Sequence, residues 1–198
     1  MGEIFARMIT FAMVSIFTEN AIFDRAFGAN VAIYASRKDE HVIGFTVGIT
    51  AMTTLASIAS YFLDRLVLPL EYGELFMPLI YLGIIGVLYI GGLLLLWKFF
   101  HSTFKKIKNF VHLAIFNCAV IGALFLNASF GSDLAGYIGY GFGTGIGFFL
   151  ASFFLNIAHE RLDSEKIPKV FRGYPIMLIY IGIVSLAFNV LVGYTAKF

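Results

Sequence analysis

Charge is what this sequence lacks most: 13% of its 198 residues are Asp, Glu, Lys or Arg, against 60% hydrophobic. A soluble domain of this size needs more charge to cover its surface, so lipid is the expected solvent. The net charge of +2 is too small to point to nucleic acid as a partner. A single cysteine, Cys118, excludes an intrachain disulfide. His41, His101, His112 and His159 show no metal-ligand spacing, and no serine–histidine–acid arrangement stands out.

What the chain has instead is apolar length. Mean hydropathy is +0.88 and phenylalanine occurs 23 times, which suits lipid-facing and helix-packing surfaces alike. A spanning helix needs roughly 20 mainly apolar residues. Five such stretches are clear: His41 to Leu63, Met77 to Phe99, Phe110 to Leu126, Asp133 to Ala158, and Tyr174 to Ala196. The sixth, Ile4 to Ala35, is apolar at both ends but interrupted by Glu19, Asn20, Asp24, Arg25, Gly28 and Asn30. No small-residue cleavage site follows its apolar start, so it reads as an uncleaved first span. A continuous lipid-exposed helix does not carry so many polar groups at depth, whereas a broken or re-entrant helix shielded by protein does.

Basic residues fix the orientation. With six spans, Arg37, Lys38, Lys98, Lys105, Lys106, Lys108, Arg161, Lys166, Lys169 and Arg172 share one side, and only Arg7, Arg65 and Lys197 the other. By the positive-inside rule the first group is cytoplasmic and both termini face outward. The two halves also resemble each other. Leu79-Ile80-Tyr81-Leu82-Gly83-Ile84-Ile85 reads like Leu178-Ile179-Tyr180-Ile181-Gly182-Ile183-Val184, and Asp64-Arg65-Leu66 like Glu160-Arg161-Leu162. Gly44 to Ala56 tracks Gly139 to Ala151, and Asn20 tracks Asn117, all at an offset close to half the chain. Three spans per half is an odd number, so the second copy enters from the opposite side. The expected fold is therefore all-α: one transmembrane domain over residues 1–198, a 3+3 inverted-topology repeat (about 1–99 and 100–198) with broken first and fourth helices.

Candidate chemistry lies at the breaks. Ionisable groups at membrane depth cost at least about 2.5–3.5 kcal/mol on insertion scales and are usually paired and functional. Asp24 and Arg25 either form part of a site or simply neutralise each other near an interface. Adjacent helical residues do not face each other, so a direct pair needs irregular backbone. Asn117-Cys118-Ala119 lies about a third of the way into the fourth span. Read alone, a lone cysteine there is an ordinary small buried residue. Gly139-Tyr140-Gly141-Phe142-Gly143-Thr144-Gly145-Ile146-Gly147 superficially resembles a nucleotide loop, but no strand precedes it and no Lys-Ser/Thr follows. Close helix packing is the preferred reading, since small residues are the usual material of transmembrane interfaces. Arg161, Lys166, Lys169 and Arg172 are accounted for as cytoplasmic loop charge.

Several of these motifs occur together and in order. Ile16-Phe17-Thr18-Glu19-Asn20, Asn117-Cys118-Ala119, Tyr140 to Phe148, Glu160-Arg161-Leu162, Pro168, Phe171-Arg172-Gly173, Pro175-Ile176 and Ser185-Leu186-Ala187-Phe188 cover nearly the whole chain. This run resembles the integral-membrane subunits of the Rnf and Nqr respiratory complexes, of the RnfA and NqrE type. The resemblance implies a role within a redox-driven ion translocase of the bacterial cytoplasmic (inner) membrane, paired with a homologous subunit of opposite topology and with other subunits of the complex. It also implies a two-iron, two-sulfur (2Fe-2S) cluster shared at the midplane, with two cysteine ligands from each of the paired subunits. Cys118 matches the second-half metal ligand. At the first-half position this chain has Asn30, and a neutral asparagine is a poor substitute for a thiolate. Asn30, Cys118, Asn117 and Asn20 mark the expected cofactor site. Three outcomes stand open there: ligation completed by a partner or by a side chain such as Asp24, a scaffolding or ion-conducting role without the cluster, or a relic cysteine. On physics alone, a small-solute or ion transporter suits the same inverted repeat and midplane charges.

Overall fold

A computed structural model of the chain describes residues 2–99, 112–162, 164–165 and 167–192. Every regular element among them is helical. Helix α1 (Gly2–Met13) runs without interruption into a π-helical turn (Val14–Thr18), and helix resumes only at α2 (Ala29–Ala35). Then follow α3 (Asp39–Val67), α4 (Gly73–Phe99), α5 (Cys118–Phe130), α6 (Leu134–Leu162) and α7 (Tyr174–Val192).

Four stretches are long and apolar enough to cross a membrane: Asp39–Val67, Gly73–Leu95, His112–Phe130 and Leu134–His159. They contain the second to fifth expected spans as far as these are described. The sixth appears as the shorter apolar helix Tyr174–Val190. The expected start of the fourth span at Phe110 and the end of the sixth at Ala196 lie outside the described residues, as do Lys105, Lys106, Lys108, Lys166 and Lys197. Apolar faces turn outward as lipid-facing helices require: on α4, Leu75, Leu79, Val87 and Leu94 are all exposed.

Helix α6 organises the interior, and its alternate glycines explain how. Gly139 and Gly143 lie against the backbone carbonyls of Met8 and Ala12 on α1, and Gly147 meets Asn20. Gly141 and Gly145 turn to α3, against Ser57 and Thr50. One glycine run thus makes two stripes, 139/143/147 and 141/145, each at the four-residue spacing of one helix face. The expected packing role is observed, and α6 continues through the run unbroken. Two apolar clusters complete the core. One joins Phe23, Ile33, Phe45, Ile49, Phe148 and Leu155, and the other joins Met52, Tyr81, Ile85, Val120 and Leu124.

Candidate functional site

The interruption after Thr18 is organised by one side chain. Asn20 is 1% exposed and makes four hydrogen bonds. Its Nδ2 donates to the Ile16 carbonyl (2.8 Å) and the Gly147 carbonyl (3.3 Å), while its Oδ1 accepts from the amides of Ile22 (3.0 Å) and Phe23 (3.2 Å). The side chain ends one helix, starts the following turns and ties both to α6. A buried backbone left without such partners would be costly in lipid. The turns close with Phe27 N donating to the Ala21 carbonyl at 2.7 Å. Ala26 and Gly28 take positive φ, 56° and 80°, before α2 begins. From the other side, Ser185 Oγ donates to the Phe23 carbonyl, and Phe23 stacks on Phe188 at 4.5 Å.

Within this irregular stretch Arg25 pairs with Glu19 at 3.1 Å and with Asp24 at 3.2 Å. The adjacent Asp24–Arg25 pair exists because the backbone here turns instead of continuing as helix. All three charged side chains are at least partly exposed on the isolated chain.

A second interruption falls at Phe116–Asn117, between a helical turn at 112–115 and α5. Asn117 adopts extended backbone and caps α5, its Oδ1 accepting from Ala119 N at 3.1 Å. It is 1% exposed, and its Nδ2 finds no acceptor among the described residues. The two interruptions touch. Gly28 packs on the Asn117 side chain and Ala119, and the Phe27 ring lies over Gly122.

Cys118, the first residue of α5, is exposed, which corrects the simple reading of a buried small residue. Asn30, the second residue of α2, is exposed as well. The structure thus joins the four expected site residues into two layers. Asn20 and Asn117 are buried and hold the breaks, while Asn30 and Cys118 stand beside them on the outer surface. Against the cluster implied by the resemblance, this donor set falls short. One exposed thiol and one neutral amide make half the thiolate share, and no group of three or more His, Cys, Asp or Glu among the described residues could hold a metal. No step is therefore routed through a cluster.

One buried acid stands outside the expected site, its sequence context marking it only as part of the internal repeat. Asp64 is 2% exposed, with Tyr81 Oη donating to Oδ1 (2.9 Å) and Tyr137 Oη to Oδ2 (2.8 Å). A signal for it does exist: Thr53, Ser57, Ser60 and Asp64 recur at helical spacing on one face.

Comparison with known proteins bears on the whole of this arrangement. The family described as "Rnf-Nqr subunit, membrane protein" matches residues 8–195. The chain is similar to the A subunit of the ion-translocating oxidoreductase complex of Glaesserella parasuis serovar 5 (strain SH0165), 32% identical over 154 residues, 77% of this chain and 79% of the relative. It is also similar to the protein of that name in Shewanella sediminis (strain HAW-EB3), 31% identical over 175 residues, 88% and 91% of the two chains.

Proposed function

The chain belongs to the Rnf-Nqr family of membrane subunits, and we propose that it is a membrane subunit of an ion-translocating electron-transport complex, serving at the midplane as relay or scaffold. In this reading it is a single six-span domain of two inverted halves in the bacterial cytoplasmic membrane, with both termini outside. Its partner is a homologous subunit of opposite topology, joined by the other subunits of the complex. The relatives carry the name of one membrane component of such a complex, and the charge distribution supports the orientation.

The observation that carries the proposal is the exposed pair of helix breaks. Irregular backbone is not left facing hydrocarbon, yet Asp24, Arg25, Ala26, Asn30, Phe116 and Cys118 are exposed on the isolated chain. Another protein surface must cover them. A 2Fe-2S cluster in that interface would take one thiolate, Cys118, from this chain, so the relay role depends on ligands supplied from elsewhere. Affinity purification from native membranes tests the proposal. The expected result is co-purification of redox subunits together with a homologue of this chain. A chain that is stable alone, with no homologue in its membrane, refutes it.

A further inference from the structure

The Asp64 site has no place in the interface just described. It lies in the last turns of α3, at the end opposite Arg37 and Lys38. Thr53, Ser57, Ser60 and Asp64 are each no more than 2% exposed and form a continuous polar face. At 1.5 Å per residue the ladder is about 16 Å long, roughly half the hydrocarbon thickness. Helices α5 and α6 seal it from lipid. Thr53 Oγ1 donates to the Gly141 carbonyl at 2.6 Å, and Asn127 Nδ2 donates to Ser57 Oγ at 3.0 Å and to the Tyr137 carbonyl at 3.2 Å. Asn127 is fully buried, and its Oδ1 has no partner among the described residues, a free acceptor inserted into the ladder.

The charge balance at its outer end is incomplete. The groups facing Asp64 are Tyr81 from α4 and Tyr137 from α6, both neutral donors. Phe125 from α5 only edges Tyr81, at 4.9 Å. On α3 itself, Arg65 turns away, placing its guanidinium 4.6 Å over the Tyr61 ring. Among the described residues no cationic side chain forms an ion pair with Asp64. A carboxylate in a membrane span is strongly disfavoured without a positive partner.

From this geometry we infer that Asp64 binds an exchangeable monovalent cation, a sodium ion or a proton, entering from the outer end, with the Thr53–Ser60 ladder as the polar path inward. A proton would form an O–H bond at one carboxylate oxygen and leave by the same bond. Sodium would be held by carboxylate, tyrosyl and seryl oxygens. The inference rests on the membrane-subunit reading above and adds an ion site to it.

Infrared difference spectra of the native complex, with and without sodium and across pH, test the assignment. Sodium binding shifts the carboxylate stretches at constant pH. Proton binding converts them to a carboxylic-acid carbonyl band in sodium-free buffer. Either signal must vanish in Asp64→Asn, and cation uptake per electron in proteoliposomes must fall with it. Identical spectra and uptake in wild type and Asp64→Asn overturn the inference. Should that variant fail to assemble, Tyr81→Phe and Tyr137→Phe keep the charge and each remove one hydrogen bond. Both must shift the sodium or pH dependence of the band, and an unshifted band is equally fatal. Loss of co-purifying redox subunits would sink the functional reading alone, because the same spectra can be taken on the chain in whatever assembly it forms.

Discussion

Gly28 lies against the side chain of Asn117: a β-carbon at Gly28 would stand 2.5 Å from Oδ1 and 3.1 Å from Nδ2. The two helix breaks, 89 residues apart in sequence (117 − 28), are held together by this absence of a side chain. Gly28 also has φ of 80°, which an L-residue adopts at a cost. Gly28→Ala is expected to combine about 1–2 kcal/mol of backbone strain with an overpacking penalty of similar size. Thermal unfolding of the detergent-solubilised complex reads the loss, and an unchanged midpoint would contradict this contact.

Asn20 does for the first break what regular helix would otherwise do. Asn20→Ala strands the Ile22 and Phe23 amides and two carbonyls, at about 1–3 kcal/mol for each buried group left unpaired. Asn20→Asp keeps the acceptor but sets a carboxylate against the Ile16 and Gly147 carbonyls. Both variants are expected to lower the yield of assembled complex on native gels, with neither approaching wild type.

The α6 glycines separate packing from mere helix flexibility. At Gly145 a β-carbon would collide with Thr50, including its Cα, which a rotamer change cannot relieve. Gly145→Ala is expected to destabilise by about 1–3 kcal/mol through overpacking. At Gly44, also helical, a β-carbon meets nothing within 4 Å. Gly44→Ala should instead gain about 0.5–1 kcal/mol from helix propensity. Paired melting curves give opposite signs if close packing governs, and the same sign if it does not.

Much of this was legible in the sequence, for identifiable reasons. Polar residues from Glu19 to Asn30 could not sit in a lipid-exposed helix, so the first break announced itself by composition. The glycine run announced close packing, but its division into 139/143/147 and 141/145 depends on which helices flank α6, and that is tertiary information. Asp64 was missed because an acid beside an arginine looks like the polar end of a span. Only the folded chain shows Arg65 turned to Tyr61 and Asp64 turned inward to two tyrosines. Cys118 gave no hint of its exposure, because the turn that presents it is set by Asn117 one residue earlier.

The proposed interface makes Cys118 a reporter. It is exposed on the isolated chain and covered once a homologous subunit docks. A membrane-permeant maleimide should label it slowly in the intact complex and rapidly after mild dissociation. As the sole cysteine of the chain, it assigns the signal without ambiguity. Equal rates in both states would place the partner on another face.

Asn30 poses the sharper question, because it stands where a thiolate is expected on the same exposed surface as Cys118. An amide oxygen is neutral and binds iron far more weakly than a thiolate, so the wild-type chain offers one strong ligand. Asn30→Cys restores the second without disturbing the buried layer, since position 30 is exposed and Asn20 and Asn117 keep their own contacts. Iron and acid-labile sulfide in the anaerobically purified complex are expected to rise in Asn30→Cys and fall again when Cys118→Ala is added. The order of effects carries the logic: a gain that needs both thiols shows that residues 30 and 118 face one shared site. A gain that survives Cys118→Ala shows that they do not. Wild-type iron indifferent to Cys118→Ala, together with no gain from Asn30→Cys, removes the relay and leaves this chain its scaffolding and ion-conducting roles.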